Sequence, residues 1–197
     1  MRRSSVACVL MISLLLSACG TGEGTTGLQE QALAIRSSYL ECTGCTAQLN
    51  VTADYGQRVY AYTVNVTATA EETVLVVAQP QELAGVTVRL NGKRGQLEYD
   101  GAMLETGPLD GEGLTPLGAV PALLECARSG FIDSCTTERL GERDILRILC
   151  RDPEKAVGTG RETTLWFDTQ THALVRGEIA VDGYRVILCE FLQFSLL

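Results

Sequence analysis

The sequence predicts a mainly β domain of the α+β class, in which about ten antiparallel strands form one sheet and two helices lie against one of its faces. Three observations predict this fold. Apolar and polar residues alternate with a period of two through most of the chain. Only two stretches show the helical period. Strands and helices do not alternate as they do in proteins with parallel sheets.

The amino-terminal segment has the composition of a bacterial lipoprotein signal peptide. Two arginines precede an apolar run over residues 6–16, which is too short to span a bilayer because a spanning helix needs about 20 apolar residues. The tetrapeptide 16–19 (Leu-Ser-Ala-Cys) resembles the lipobox, whose cysteine is lipidated and becomes the new amino terminus. We therefore predict a signal peptide over residues 1–18 and lipid attachment at Cys19. The alternative is an ordinary signal peptide with a chance cysteine.

Lipidation predicts a location on the outer face of the bacterial cytoplasmic membrane, or on the outer membrane of a host that has one. Removing residues 1–18 leaves 179 residues, the length of one domain, and changes the formal charge from −8 to −10 because two arginines leave with them. An acidic surface repels phosphates, so we expect no nucleic-acid partner. The predicted organisation is a flexible tether over residues 19–27 and a domain over residues 28–197.

Six cysteines besides Cys19 remain in the predicted mature chain. An even number in an exported protein favours disulfides, but the count does not determine the pairing. If residues 131–140 and 144–152 form a hairpin with a four-residue turn, Cys135 and Cys150 lie opposite each other at a separation suited to a disulfide. The remaining four, which allow three pairings, are Cys42, Cys45, Cys126 and Cys189.

The first helix is predicted over residues 28–40, where Leu28, Ala32, Ile35 and Tyr39 form one apolar stripe. The period then changes to two. Two alternating segments separated by a glycine predict a hairpin with one buried and one solvated face. The residues expected on its buried face are Ala47, Leu49, Val51, Ala53 and Tyr55, followed by Tyr60, Tyr62, Val64, Val66 and Ala68.

Eight further strands and one further helix are predicted downstream. Thr115 and Pro116 suit the N-cap and first helical position, and Gly130 suits the C-terminal glycine that ends a helix. Asp-Gly and Asn-Gly pairs mark the hairpin turns. The eight strands cover residues 73–78, 86–91, 96–99, 131–140, 144–151, 162–168, 174–181 and 184–194.

Residues 165–183 resemble the strand–turn–strand signature of the LolA-like superfamily of lipoprotein carriers. The first strand reads Leu-Trp-Phe-Asp at residues 165–168, and a second strand follows the turn at residues 174–179. The order of helix, antiparallel strands, central Thr-Pro helix and further strands is similar over about residues 28–197. Residues 80–105 also resemble small lipoproteins of Gram-positive anaerobes that are related to the sporulation and germination lipoprotein GerS.

The resemblance implies a curved, half-open barrel whose helices lie on its concave face. In the carriers this face takes the acyl chains of a lipoprotein. Because a lipid-anchored chain cannot carry cargo across a compartment, we expect the domain to bind an acyl chain or lipoprotein in place. The alternatives are a filled core and a scaffold that docks another cell-envelope protein. The candidate lining residues are Leu49, Val51, Tyr60, Tyr62, Val64, Leu117, Leu124 and Trp166.

No catalytic motif is recognisable in the sequence, so we expect no enzyme activity. His172 is the only histidine. It falls in a predicted turn, where we expect it to be solvated, and one histidine cannot form a multi-histidine metal site. The string Gly22-x-Gly24-x-x-Gly27 matches a dinucleotide-binding fingerprint, but no strand precedes it. We therefore predict neither a metal nor a cofactor.

Overall fold

The computed structural model describes residues 23–92, 94–108 and 112–197. These residues form a single antiparallel sheet of eleven strands, two α-helices and a short 3-10 helix. The predicted fold class is confirmed, with one strand more than the sequence indicated.

The helices are α1 (Glu23–Glu41) and α2 (Pro116–Ser129). The strands are β1 (Gly44–Asp54), β2 (Val59–Thr69), β3 (Thr73–Gln79), β4 (Thr87–Asn91), β5 (Arg94–Tyr99), β6 (Ala102–Pro108), β7 (Ile132–Leu140), β8 (Arg143–Arg151), β9 (Arg161–Asp168), β10 (Leu174–Val181) and β11 (Tyr184–Leu196).

The sheet is open, with β6 at one edge and β7 at the other. Except for β6 and β7, strands that follow each other in the chain are neighbours in the sheet, and the last strand, β11, pairs with the first, β1, at the centre. The chain therefore leaves one edge at β6, crosses one face of the sheet as α2, and enters the opposite edge at β7. We call the face that the two helices cover the inner face.

Helix α1 begins at Glu23, inside the segment predicted as a tether, so that prediction is wrong for residues 23–27. The helix extends into the glycine-rich segment, where Leu28 is half-buried and packs against the core. The predicted stripe is confirmed, because Ala32, Ile35 and Tyr39 are buried against the sheet. Cys19 and the predicted signal peptide lie outside the described residues.

The β1–β2 hairpin follows the predicted alternation. In β1 every second residue from Cys45 to Ala53 is buried, and the residues between them point away from the helices. Leu49 lies opposite Val64 and Ala53 lies opposite Tyr60, so the apolar residues of both strands share the inner face. The first residues of β2 are less buried, and Val59 and Tyr60 are exposed.

Sequence reasoning missed β6. Its side chains from Ala102 to Gly107 are exposed, because an edge strand that is solvated on both faces lacks the alternation that marks a half-buried strand. The preceding turn was predicted correctly. Asp100 and Gly101 both have positive φ, at 49° and 77°, as a two-residue type I′ hairpin requires.

Helix α2 begins as predicted. The Thr115 side chain accepts a hydrogen bond from the Gly118 N–H at 3.1 Å, and Pro116 occupies the first helical position. Gly130 ends the helix for a reason other than the one predicted, because its φ is −59° and not left-handed. A Cβ at this position would lie 2.7 Å from the Cys126 carbonyl oxygen, so a close approach of backbone requires the glycine.

The β7–β8 hairpin contradicts the predicted Cys135–Cys150 disulfide. Its turn has two residues instead of four, so Leu140 pairs with Arg143 and Cys135 faces Ile148. A β-bulge near the start of β7 then brings Ile132 opposite Cys150. Each of the six described cysteines is a free thiol. The prediction fails because the hairpin register depends on turn length, which the sequence leaves open.

The helices are held closely on the inner face. Helix α1 contacts β7, β8 and α2, whereas α2 contacts β1, β9 and β11. One close approach lies at Gly177 of β10, where a Cβ would meet the Leu123 side chain of α2 at 2.5 Å. The core between the helices and the sheet is therefore tightly packed.

Candidate functional site

Most of the inner face is filled by side chains. Four predicted lining residues, Leu49, Val51, Val64 and Leu124, lie on this face and are at most 5% exposed. The cavity between α1, α2 and the sheet measures only about 10 Å³. That cavity borders β7, β8 and β9 and is far smaller than the roughly 300–1,000 Å³ of a site for a small organic ligand. The four predicted lining residues form part of the core in this conformation because they are buried.

One end of the inner face is not covered. Tyr60 is 37% exposed and Tyr62 is half-buried, although their partners Ala53 and Val51 are fully buried on the same face. Tyr55, just after β1, completes an exposed group, with its ring 6.0 Å from that of Tyr60. We call Tyr55, Tyr60 and Tyr62 the tyrosine rim.

The tyrosine rim borders the start of α2. The Tyr55 hydroxyl donates a hydrogen bond to the Leu114 carbonyl oxygen at 2.8 Å. Leu114 and Leu117 are half-buried and pack against the core, as Tyr62 does. Of the eight predicted lining residues, Tyr60, Tyr62 and Leu117 are therefore the three that reach solvent on the inner face. Sequence alternation already placed Tyr55 here, but it did not indicate the contact with the chain before α2.

The prediction that Trp166 lines the inner face is wrong. Its neighbours in β9, Leu165 and Phe167, are buried beneath the helices, and successive strand residues point to opposite faces. Trp166 pairs laterally with Arg147 of β8 and Arg176 of β10 on the outer face. The error arose because the side chains of β9 that point to the inner face are Thr163, Leu165 and Phe167, and the largest aromatic residue, Trp166, lies between them.

Trp166 lies between two guanidinium groups. Its ring centroid is 5.5 Å from the Arg147 Cζ and 5.1 Å from the Arg176 Cζ, within cation–π range. Its indole N–H donates a hydrogen bond to Glu138 at 3.1 Å, and Arg176 is paired with Glu178. We call these five residues the tryptophan face. Sequence reasoning missed its arginines, because cross-strand neighbours are set by register.

The turn after Trp166 accounts for the Asp of the Leu-Trp-Phe-Asp motif. The Asp168 carboxylate accepts hydrogen bonds from the backbone N–H groups of Gln170 at 3.0 Å and Thr171 at 2.9 Å. Burial opposes ionisation of Asp168, but the hydrogen bonds from Thr171 and Gln170 outweigh it and hold the pKa of the carboxyl below its ordinary value. The motif therefore shapes the β9–β10 turn.

His172 is not simply solvated, as the sequence had suggested. Its Nδ1 lies 2.7 Å from the Ser38 hydroxyl, and its carbonyl oxygen accepts a hydrogen bond from the Tyr39 hydroxyl at 3.0 Å. Both partners belong to α1. His172 therefore joins the β9–β10 turn to the first helix, which is a structural role.

A second cavity, of about 360 Å³, opens beside the carboxyl end of α2. Charged side chains and two cysteines share its lining, which includes Glu125, Cys126, Cys150, Arg151, Lys155 and Arg161. Among the residues that the structure describes, no group of three or more potential ligands is placed to hold a metal ion. No helix within the described ranges is long and apolar enough to cross a bilayer.

Comparisons with known proteins support the fold. No known protein family matches the sequence. No curated protein matches it either. Among solved structures, an uncharacterized conserved protein from Thermus thermophilus matches 86% of this chain and 87% of its own, with a TM-score of 0.51 and 12% identity.

Two further structures are similar in fold. The Mycobacterium tuberculosis lipoprotein LppX matches 88% of this chain and 96% of its own, with a TM-score of 0.48 and 17% identity. A LolA superfamily protein from Nitrosomonas europaea matches 88% and 93%, with a TM-score of 0.42 and 12% identity. The resemblance to the LolA-like superfamily and the closer resemblance to GerS therefore stay predictions.

Proposed function

We propose that this chain is a membrane-tethered, non-enzymatic binding protein of the bacterial cell envelope, and that its ligand is an acyl chain. Cys19 carries the lipid tether, and the ligand enters at the tyrosine rim. The observation that supports this most directly is the uncovered end of the inner face, where exposed Tyr60 and half-buried Tyr62 continue the apolar rows of the core.

The proposed ligand entrance to the inner face lies between the tyrosine rim and the first turn of α2. Because the inner face is filled, a ligand must displace part of this helix. The carboxyl end of α2 is pinned to α1, since Arg36 donates to the Ala127 carbonyl oxygen and Arg128 donates to the Tyr39 carbonyl oxygen. The chain before the amino-terminal end is joined to the rim by the Tyr55–Leu114 hydrogen bond and to β9 by the Arg161–Glu112 ion pair, and both contacts can be exchanged for water. The start of α2 is therefore the end that moves.

The tether favours an acyl chain over other apolar ligands. Cys19 precedes the first residue of α1, Glu23, by four residues, which span at most about 14 Å when extended. The domain is therefore held beside the bilayer surface, where acyl chains are the most abundant apolar molecules. Two acyl chains on one cysteine are enough for stable anchoring.

The lipid anchor has a direct test. In the bacterium, Cys19→Ser should abolish incorporation of radiolabelled palmitate and release the protein from the membrane fraction, because the acylated sulfur is lost. Cys8→Ser is the matched control, since Cys8 lies in the predicted signal peptide and its loss should leave labelling unchanged. Labelled palmitate on the Cys19→Ser protein would contradict the assignment.

Ligand binding is tested on residues 20–197 with a fluorescent 16-carbon fatty acid. The double variant Tyr60→Ser and Tyr62→Ser should raise the dissociation constant about tenfold or more, because it removes two aromatic side chains from the entrance. Tyr184→Ser is the control, as Tyr184 is 82% exposed in the β10–β11 turn. The proposal would be contradicted if the unmodified domain showed no saturable binding, or if the double variant and the Tyr184→Ser control bound the fatty acid with equal affinity.

The tryptophan face favours a second candidate, docking of another cell-envelope protein. An indole held between two guanidinium groups combines the residue types that dominate protein interfaces. Trp166→Ala separates the two functions, because it leaves the inner face unaltered. It should leave fatty-acid affinity unchanged if the first proposal holds. Loss of crosslinking to an envelope partner, with no fatty-acid binding by the unmodified domain, would support docking instead.

A further inference from the structure

The carboxyl end of α2 and strand β8 approach each other at two cysteines. A Cβ built at Gly130 would lie 2.7 Å from the Cys126 Sγ and 3.2 Å from the Cys150 Cβ. Both cysteine side chains therefore surround one point, and the Cys126 Sγ and Cys150 Cβ are less than 6 Å apart. The two thiols are also close enough for each to shift the pKa of the other.

Backbone contacts hold this approach in place. The Gly130 N–H donates to the Cys126 carbonyl oxygen at 2.8 Å, and the Arg36 guanidinium donates to the Gly130 carbonyl oxygen. The Arg151 N–H donates to the Phe131 carbonyl oxygen at 3.2 Å, which aligns the chain after α2 with β8. Because the register places Ile132 opposite Cys150, the last turn of α2 must lie directly over that cysteine.

We propose that Cys126 and Cys150 form a disulfide in the exported protein, which fastens the carboxyl end of α2 to β8. The pair is close in space, joins two elements that are already packed together, and belongs to a chain predicted to reach an oxidising compartment. This inference does not depend on the proposed ligand.

Cys126 is the sulfur that reacts first. Interaction with the Cys150 thiol outweighs burial and, with the Arg161 and Arg36 guanidinium groups, lowers the pKa of the Cys126 thiol. Interaction with Cys126 and burial raise the pKa of the Cys150 thiol, which favours its protonated form. Both cysteines border the 360 Å³ cavity beside the carboxyl end of α2.

The oxidant is a disulfide of a thiol–disulfide oxidoreductase. The Cys126 thiolate attacks one of its sulfurs, forms a mixed disulfide and releases the other sulfur as a thiolate. The Cys150 thiol then passes its proton to that thiolate and attacks the Cys126 sulfur, which releases the first oxidant sulfur. The protein loses two electrons and two protons, and the oxidant's disulfide becomes a dithiol.

Peptide mapping of the full-length lipoprotein from its membrane fraction decides the pairing. Free thiols are trapped with N-ethylmaleimide and the protein is digested with trypsin without reduction. Cleavage after arginine separates the three nearby cysteines, with Cys126 on peptide 95–128, Cys135 on 129–139 and Cys150 on 148–151. We expect peptides 95–128 and 148–151 to be linked. Maleimide on both of them, or a link between 129–139 and 148–151, would overturn the proposal.

Reduction should also shift thermal unfolding. Dithiothreitol should lower the Tm of the unmodified protein by about 5–10 °C, because the bond closes a loop of about 25 residues. The double variant Cys126→Ser and Cys150→Ser should not respond, whereas Cys135→Ser should respond as the unmodified protein does. A Tm that dithiothreitol leaves unchanged, or lowers equally in the double variant, contradicts the disulfide.

Discussion

Replacing Tyr39 with alanine should lower the free energy of unfolding by about 3–5 kcal/mol, the range measured when large aromatic side chains are removed from cores. Tyr39 is fully buried. Its ring lies 5.4 Å from that of Phe167 in β9 and 6.0 Å from that of Phe194 in β11, so it joins α1 to two strands of the sheet. Its removal leaves a cavity that α1 alone cannot close.

The Tyr39 hydroxyl contributes separately. It donates a hydrogen bond to the His172 carbonyl oxygen, and burial raises the pKa of Tyr39, so the hydroxyl stays protonated. Tyr39→Phe keeps the ring and loses only this bond, and should cost about 1–2 kcal/mol. Urea unfolding of residues 20–197 measures both variants. A loss below 1 kcal/mol for Tyr39→Ala would show that α1 does not depend on this contact.

Replacing Gly44 with alanine should cost about 3 kcal/mol, at the upper end of what overpacking usually costs. A Cβ at Gly44 would lie 2.2 Å from the Ala68 carbonyl oxygen, which belongs to the backbone of the neighbouring strand β2. Backbone cannot rotate aside as a side chain can. The first pair of the central hairpin must therefore separate, and the hydrogen bond from the Leu197 N–H to the Gly44 carbonyl oxygen is weakened with it.

Gly27→Ala is the matched control for Gly44→Ala. Gly27 lies in α1, and a Cβ there would meet nothing within 4 Å. Alanine should therefore stabilise the helix by up to about 1 kcal/mol, because it loses less conformational freedom than glycine. The urea midpoints should move in opposite directions at an unchanged m-value. Equal midpoints for the two variants would mean that the β1–β2 approach at Gly44 is not tight.

Local features of the fold could be predicted from the sequence. The alternation in β1 and β2 predicted which side chains are buried, because the period of a strand is fixed by its pleat. The cap of α2 at Thr115 and Pro116 was predicted from the chemistry of helix starts. The edge strand β6 was not predicted. Both of its faces are exposed to solvent, so its sequence lacks the alternation of apolar and polar residues that marks a half-buried strand.

The candidate site was predicted only in part. Tyr60 and Tyr62 were placed on the correct face, but their exposure depends on where α2 begins, which lies about 50 residues away in the chain. Trp166 was assigned to the wrong face. The buried side of β9 includes polar residues, so the sequence does not show which of its side chains face the core. Cys135 and Cys150 were paired from an assumed turn length, and a two-residue turn moved the register.

The class of fold and the inward-facing residues of the central hairpin could be predicted from the amino-acid order, because each depends on residues within a few positions of one another. The anchor at Cys19 rests on the same kind of local pattern and stays a prediction. Three features required the folded chain: the filled inner face, the outward position of Trp166 between two arginines, and the meeting of Cys126 with Cys150. These depend on strand register and helix placement, which bring together side chains that no local pattern connects.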